Sequence, residues 1–188
     1  MAEEAEDDEE LMTRWQAGDT GAFDTLVGRH GSSIFGFLLS LLGDRALAED
    51  AYSETLFRLV RFRDRYDPAR PFRGWLFAVA RNCARDVQRL GGRLKALVVR
   101  VVELRGPSIR ARSAEDALID DERAERIAAA LAGLPEEHRA IVLLSYREGL
   151  NGREVADALG ISHRQARDKL AYARKRLRAL LADERSEP

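Results

Sequence analysis

Cysteine is nearly absent: Cys83 is the single one in 188 residues. That excludes an internal disulfide and any cysteine-cluster zinc site. Cys83 falls on the apolar stripe of an expected helix, where a lone thiol is an inert small hydrophobe rather than a nucleophile. Histidine is scarce too, and His30, His138 and His163 have no mutual metal-ligand spacing. No metal and no cofactor is therefore implied, and catalysis is disfavoured. Also missing is any apolar run approaching the roughly 20 residues needed to cross a bilayer. The N-terminus is acidic rather than signal-like. These absences place the chain in a reducing cytoplasm without membrane insertion. There is no internal repeat, and no low-complexity tract beyond the acidic start.

What is present is helix-forming sequence with segregated charge. A hydrophobic fraction of 45% supports packed cores, and 34% charged residues suit a soluble, helix-rich protein. The length suits one large or two small domains. The formal net charge is −1, yet residues 1–10 carry seven acids and no base, while residues 58–89 carry nine arginines against three acids. The basic stretches predict contact with a polyanion, and the acidic start reads as a tail or a solubiliser that could shield a basic face.

The chain is organised around residues 134–178. Pro135 suits a helix start, and Ile141, Leu144 and Tyr146 supply the buried side of the helix that follows. Gly149 fits a left-handed cap. Asn151 with Glu154 forms a capping box for a short helix burying Val155, Ala156 and Leu159. Gly160 makes a tight turn, Ile161 plugs it, and Ser162 with Gln165 forms a second capping box. In the last helix Ala166, Leu170, Ala173, Leu177 and Leu181 form the packed stripe. His163, Arg164, Arg167, Lys169, Arg174, Lys175 and Arg178 lie on the other side. A solvated face on a bundle helix is the bland alternative. The turn glycine and paired caps instead favour a helix-turn-helix, whose second helix enters the major groove with early residues at base edges and later cations at phosphates.

Toward the N-terminus, one helix runs through Leu11, Trp15 and Ala17 to Gly18. Asp19 caps a second helix over residues 21–42, and Gly43-Asp44 breaks it. A third, over 46–62, buries Ala48, Tyr52, Leu56, Leu59 and Val60 and exposes Glu49, Asp50, Ser53, Glu54, Arg58 and Arg61. Asp67-Pro68 and Arg70-Pro71 stiffen a loop. The next helix places Trp75, Leu76, Val79, Ala80, Cys83, Val87 and Leu90 inward, while Arg73, Phe77, Arg81, Arg85 and Arg89 step by four along another side. Aromatics interleaved with arginines suit unpaired DNA, with flat faces for bases and cations for the backbone. Phe72 is the better stacking platform, and Trp75 is a core residue. Gly91-Gly92 ends a first domain over 1–92. Residues 93–112 read as a flexible linker, and a helix over 114–132 opens a second domain over 113–188. The expected fold is all-α, two small helical domains with the helix-turn-helix in the C-terminal one.

These segments together resemble the extracytoplasmic-function group of bacterial RNA polymerase sigma factors, over roughly Glu9 to Leu181. The resemblance is carried by Gly18, Asp19, Ala22 and Phe23, and by LLGD-R-x-x-AED from Leu41 to Asp50 with Glu54 and Thr55. Next comes Tyr66 to Asn82, matching FD-P-x-RPFR-x-WL-x-x-x-ARN with tyrosine for phenylalanine. The last pieces are LP-x-x-x-R, E-V-A-x-x-LG-I-S and AR-K-R-L. Order and spacing make the match specific. It implies that Asp50, Ser53, Glu54 and Arg58 dock on the clamp coiled coil of the polymerase largest subunit. It implies that Phe72, Arg73, Phe77, Arg81, Asn82 and Arg85 melt and hold the downstream promoter element. It also implies that His163, Arg164, Gln165, Arg167, Lys169, Arg174 and Lys175 bind the upstream element. Promoter DNA, core polymerase and an anti-sigma protein are the implied partners.

Some positions depart from the family pattern. Ser53 stands where glutamine is common, Tyr172 replaces a common basic residue, and Asp168 puts a carboxylate where a small hydroxyl usually faces phosphate. Two other functions compete. A self-contained dimeric regulator explains the helix-turn-helix but leaves the acidic and aromatic-basic helices without a role. An enzyme built on Cys83 lacks a partner histidine at any meaningful spacing.

Overall fold

The computed structural model describes residues 6–102 and 122–183, and every regular element among them is helical. The N-terminal domain comprises α1 (Asp8–Gln16), α2 (Thr20–Leu42), α3 (Arg45–Phe62), a 3-10 turn (Arg63–Arg65) and α4 (Phe72–Val102). The C-terminal domain comprises α5 (Glu122–Ala132), α6 (Glu136–Val142) running into a π-helical turn (Leu143–Arg147), α7 (Gly152–Leu159) and α8 (His163–Asp183).

Short polar side chains fix the early helix starts. Asp7 accepts from the Glu10 N–H at 2.7 Å, Asp19 from Gly21 at 2.9 Å and Asp44 from Leu47 at 3.0 Å. Between α2 and α3, Gly43 adopts φ 66° and donates its N–H to the Leu39 carbonyl, so Gly43-Asp44 is a C-cap followed at once by an N-cap. The core between these helices holds Ile34, Phe37, Leu38 and Leu41 of α2, Ala48, Ala51 and Leu59 of α3, and Leu76, Phe77, Ala80 and Cys83 of α4. Phe77 meets Phe37 edge-on, with ring centroids 5.3 Å apart. Burial pushes the Cys83 thiol pKa up, which keeps it protonated and unreactive.

Several positions differ from the sequence expectation. Val60 is 49% exposed, because α3 turns Leu59 inward and leaves its neighbour outside, and Leu90 is 65% exposed because it lies beyond the packed stretch of α4, where residues 88–90 are all exposed. Tyr146 is 59% exposed rather than buried. Tyr146 follows Leu144 by two residues, which puts it on the opposite side of the helix from Leu144. The helix does not end at Gly91-Gly92: α4 continues through both glycines to Val102. The linker expected over 93–112 is thus helical in its first part, and residues 103–112 lie outside the described ones. The helix expected over 114–132 is seen as α5, and residues 114–121 are likewise outside.

The two domains pack on one another around a single contiguous apolar cluster. α7 packs more extensively on α4 than on α8, its partner in the helix-turn-helix, while the α6 and π-helical segment rests on α2. At the crossing, the α-carbon of Gly74 lies so close to α7 that a Cβ there would sit 3.2 Å from the Glu154 carbonyl oxygen and 3.1 Å from Asp157 Cβ.

Candidate nucleic-acid interface

The helix-turn-helix forms as its local sequence dictates. The Asn151 side chain accepts from the N–H groups of Arg153 and Glu154, and the Glu154 carboxylate accepts from the Asn151 N–H at 2.7 Å. Gly160 takes φ 65° in the turn. The Ser162 N–H donates to Gln165 Oε1 at 2.9 Å, and the Gln165 N–H donates to Ser162 Oγ at 3.2 Å. Ala166 and Ala173 are buried, so α8 is held close by small residues.

On the outer side of α8, His163, Arg164, Gln165, Arg167, Arg174 and Lys175 are exposed. The His163 ring leans over Gly152, where a Cβ would meet Nε2 at 2.5 Å. Arg164 and Arg167 each approach Asp168 only to 3.9 Å. Asp168 therefore tempers two cations without holding either firmly. Lys169 differs from its neighbours: it turns inward, half-buried, and pairs with Glu137 at 2.6 Å. Arg174 donates to the Tyr146 hydroxyl at 3.1 Å, at the edge of an apolar groove that Leu131, Val142, Leu143 and Leu177 help to line.

The α4 set is placed quite differently. Phe72 and Phe77, expected as stacking platforms, are 2% and 0% exposed. Phe72 sits in an aromatic cluster with Tyr66, Trp75 and His30, and its N–H donates to Glu9 at 2.8 Å. The loop doubles back over α1 and draws the ring inward, a tertiary effect with no local signal. Trp75, expected as core, is only partly buried and tilts against Tyr66. It lines a cavity of about 120 Å³ with Arg65, Tyr66, Arg70 and Pro71. Trp75 is thus the aromatic beside the loop arginines. Asn82 is exposed.

Arginines of the basic helix and its loop point into the C-terminal domain. Arg81 is 3% exposed; its Nε donates to Glu136 at 3.2 Å, and Glu137 lies 3.8 Å away. Burial pulls the Arg81 guanidinium pKa below its ordinary value, and the Glu136 carboxylate opposes this. Arg85 pairs with Glu136 at 3.1 Å and approaches Glu137 at 3.6 Å. Arg73 donates to the Glu148 carbonyl, and Arg70 reaches Asp157 at 2.5 Å. On α3, Asp50 and Ser53 are exposed, whereas Arg58 bridges Glu54 at 2.6 Å and Asp86 at 2.8 Å, tying α3 to α4. Phe57, 57% exposed, and Val60 follow Asp50 and Ser53 at helical spacing on the same side. Sequence reading missed Phe57, although its place seven residues after Asp50 was a usable signal.

A doubly capped helix-turn-helix whose second helix presents an exposed cationic face is the architecture of a DNA-binding protein. Comparison with known proteins narrows that class. Residues 26–94 match Sigma-70 region 2 and residues 130–179 match Sigma-70, region 4. The chain is 33% identical over 172 residues to the RNA polymerase sigma factor CarQ of Myxococcus xanthus, covering 92% of this chain and 96% of CarQ. It is 34% identical over 172 residues to the ECF RNA polymerase sigma factor SigL of Mycobacterium tuberculosis, covering 89% and 93% of the two chains. The solved structure of CnrH, in complex with the cytosolic domain of CnrY, superposes with a TM-score of 0.70 at 26% identity, covering 94% of this chain and 97% of that one. The chain belongs to the extracytoplasmic-function RNA polymerase sigma factors. It is an initiation factor that gives polymerase its promoter specificity, and not an enzyme.

Proposed function

We propose that the exposed face of α8 reads the upstream promoter element, with Arg164, Gln165 and Arg167 nearest the base edges and Arg174 and Lys175 on phosphates. His163, at the start of the helix, belongs to the same face. The observation that carries this reading is the intact double-capped helix-turn-helix with these side chains exposed. Gln165 also serves as a cap, so its carbonyl is engaged and its amide N–H groups are left for a base. Lys169 joins the DNA set only on release from Glu137.

The downstream element is assigned to α4 and its preceding loop, with residues 1–92 forming the polymerase and melting domain, 93–112 the connection and 113–188 the upstream-element domain. Arg73, Arg81, Asn82 and Arg85 supply cations and a polar contact along α4. Phe72 and Phe77 contribute by shaping the helix rather than by stacking, and Trp75 with Arg70 stands beside the small cavity where an extruded base would be held. Melting costs about 1.4 kcal/mol per base-pair step, so bases held open need stacking contacts worth ~1–3 kcal/mol each.

Core polymerase is engaged by the outer side of α3, where Asp50, Ser53 and Glu54 are joined by Phe57 and Val60. Arg58 acts by holding α3 to α4. An aromatic flanked by acids suits a protein surface of opposite charge, and the family resemblance assigns it to the clamp coiled coil of the largest subunit. The apolar groove beside Tyr146 fits a helix of a regulatory anti-sigma protein. Because it acts on promoter DNA and polymerase, the protein is assigned to the cytoplasm. The test is co-purification of tagged wild-type and Phe57→Asp protein with core polymerase. Retention of the wild type and loss of the variant, with unchanged circular dichroism, supports the assignment; equal retention removes α3 from the docking surface.

A further inference from the structure

Given the assignment of α8 to the upstream element, on which this inference rests, the side chain of Gln165 has a fixed hydrogen-bonding polarity. Gln165 is the third residue of α8 and is exposed, at the end of the helix that meets base edges. Its Oε1 accepts from the Ser162 N–H at 2.9 Å and from the Ser162 Oγ–H at 3.0 Å. The Gln165 N–H donates back to Ser162 Oγ at 3.2 Å. A backbone N–H only donates, so the atom facing it is the carbonyl oxygen, and the amide cannot be turned over. A carbonyl oxygen has two lone pairs, and Ser162 uses both. Among the described residues, no protein group accepts from the Gln165 amide nitrogen.

An unconstrained glutamine pairs with adenine through both ends of its amide, donating to N7 and accepting from N6. That pairing needs the oxygen held by the cap, and taking it breaks two hydrogen bonds that fix the start of α8. Guanine asks only for donors, because N7 and O6 both accept. The neighbours share this polarity. Arg164 and Arg167 are exposed and can only donate. The acceptor beside them, the Asp168 carboxylate, lies 3.9 Å from the Nε of each.

We propose that the cap makes Gln165 a donor-only reader, so that it selects guanine over adenine at one position of the upstream element. One side chain thus sets both the start of the helix and a base preference. Gln165→Glu separates the two roles. One carboxylate oxygen holds the Ser162 N–H, as in an ordinary capping box, and the other faces the groove as an acceptor.

The test uses holoenzyme reconstituted from the full chain and core polymerase, on promoter duplexes randomised across the upstream element, with the bound DNA sequenced. At the position that Gln165→Glu alters, the wild type should favour guanine over adenine by at least about tenfold. The variant should switch there to cytosine or adenine, whose amino groups donate. Its thermal melting should match the wild type because the cap remains; a lower melting point counts against the geometry from which the polarity was derived. Ser162→Ala keeps the backbone N–H but removes the hydroxyl donor, freeing one lone pair of Oε1. The guanine-to-adenine ratio at the same position should then fall severalfold. Adenine preferred by the wild type, or a ratio unmoved by Ser162→Ala, overturns the donor-only reading. A wild-type motif that survives Gln165→Glu unchanged refutes the role of Gln165 alone. No upstream motif in the wild type removes the assignment of α8, and this inference with it.

Discussion

Replacing Gly74 with alanine should strengthen one domain and weaken its contact with the other. The new Cβ would stand 3.1 Å from Asp157 Cβ, 3.2 Å from the Glu154 carbonyl oxygen and 3.3 Å from Glu154 Cα. Two of those atoms belong to the α7 backbone and cannot swing aside, so the helices must separate by a few tenths of an ångström. Overpacking of this kind costs about 1–3 kcal/mol. Within α4, alanine is favoured over glycine by up to about 1 kcal/mol, since it loses less backbone freedom on becoming helical. The two effects act on different observables and are separable by hydrogen exchange with mass spectrometry. Amides over 152–159 should exchange faster, by about tenfold for each ~1.4 kcal/mol lost at the interface. Amides of α2 and α3 should exchange no faster than in wild type. Unchanged or slower exchange over 152–159 would refute the backbone-on-backbone crossing from which the cost was worked.

Further outcomes are expected elsewhere. Asn151→Ala removes a side chain that accepts two N–H groups and half of a capping box, and should destabilise the C-terminal domain by about 1 kcal/mol in urea denaturation; a change under about 0.3 kcal/mol would contradict the cap's role. The Lys169 ammonium, with smaller help from the Arg81 and Arg85 guanidiniums of α4, holds the Glu137 carboxyl below its ordinary pKa, so the contribution of Glu137 to the C-terminal domain and to its contact with α4 is present above the usual glutamate range and lost as pH falls through its depressed value. Interdomain energy transfer between dyes should therefore hold at neutral pH and fall only in acid beyond that range; a loss beginning near pH 6 would contradict it. Lys175→Ala should weaken duplex binding across all sequences and flatten the salt slope by about 1, whereas Arg164→Ala should change base preference; the reverse pattern would reassign the α8 face.

Local chemistry made much of this molecule legible before its structure. Asn151 with Glu154, Ser162 with Gln165 and Gly160 all act within four residues, so their bonds could be written from the sequence. The pattern across Gly43-Asp44 was readable for the same reason. Tyr146 was misplaced because it was grouped with Leu144 although two residues along a helix turn a side chain to the opposite face. Phe72 was misplaced because its ring is drawn inward by Tyr66, His30 and the Glu9 contact, from separate segments. Gly91-Gly92 was taken as a break, yet one glycine costs about 1 kcal/mol, which a helix of 31 residues tolerates. The pairing of Arg81 with Glu136 joins residues 55 apart in sequence, and a basic helix read alone shows a DNA-facing surface, not the carboxylates that cover it.

The most direct measurement is transcription in vitro: purified protein, core polymerase and a library of promoter sequences, with transcript starts read by sequencing. The account predicts starts clustered downstream of one shared pair of elements, present only when the protein is added, and shifted in upstream preference by Arg164→Ala. Starts scattered without a common motif, or the same pattern from core polymerase alone, would contradict it.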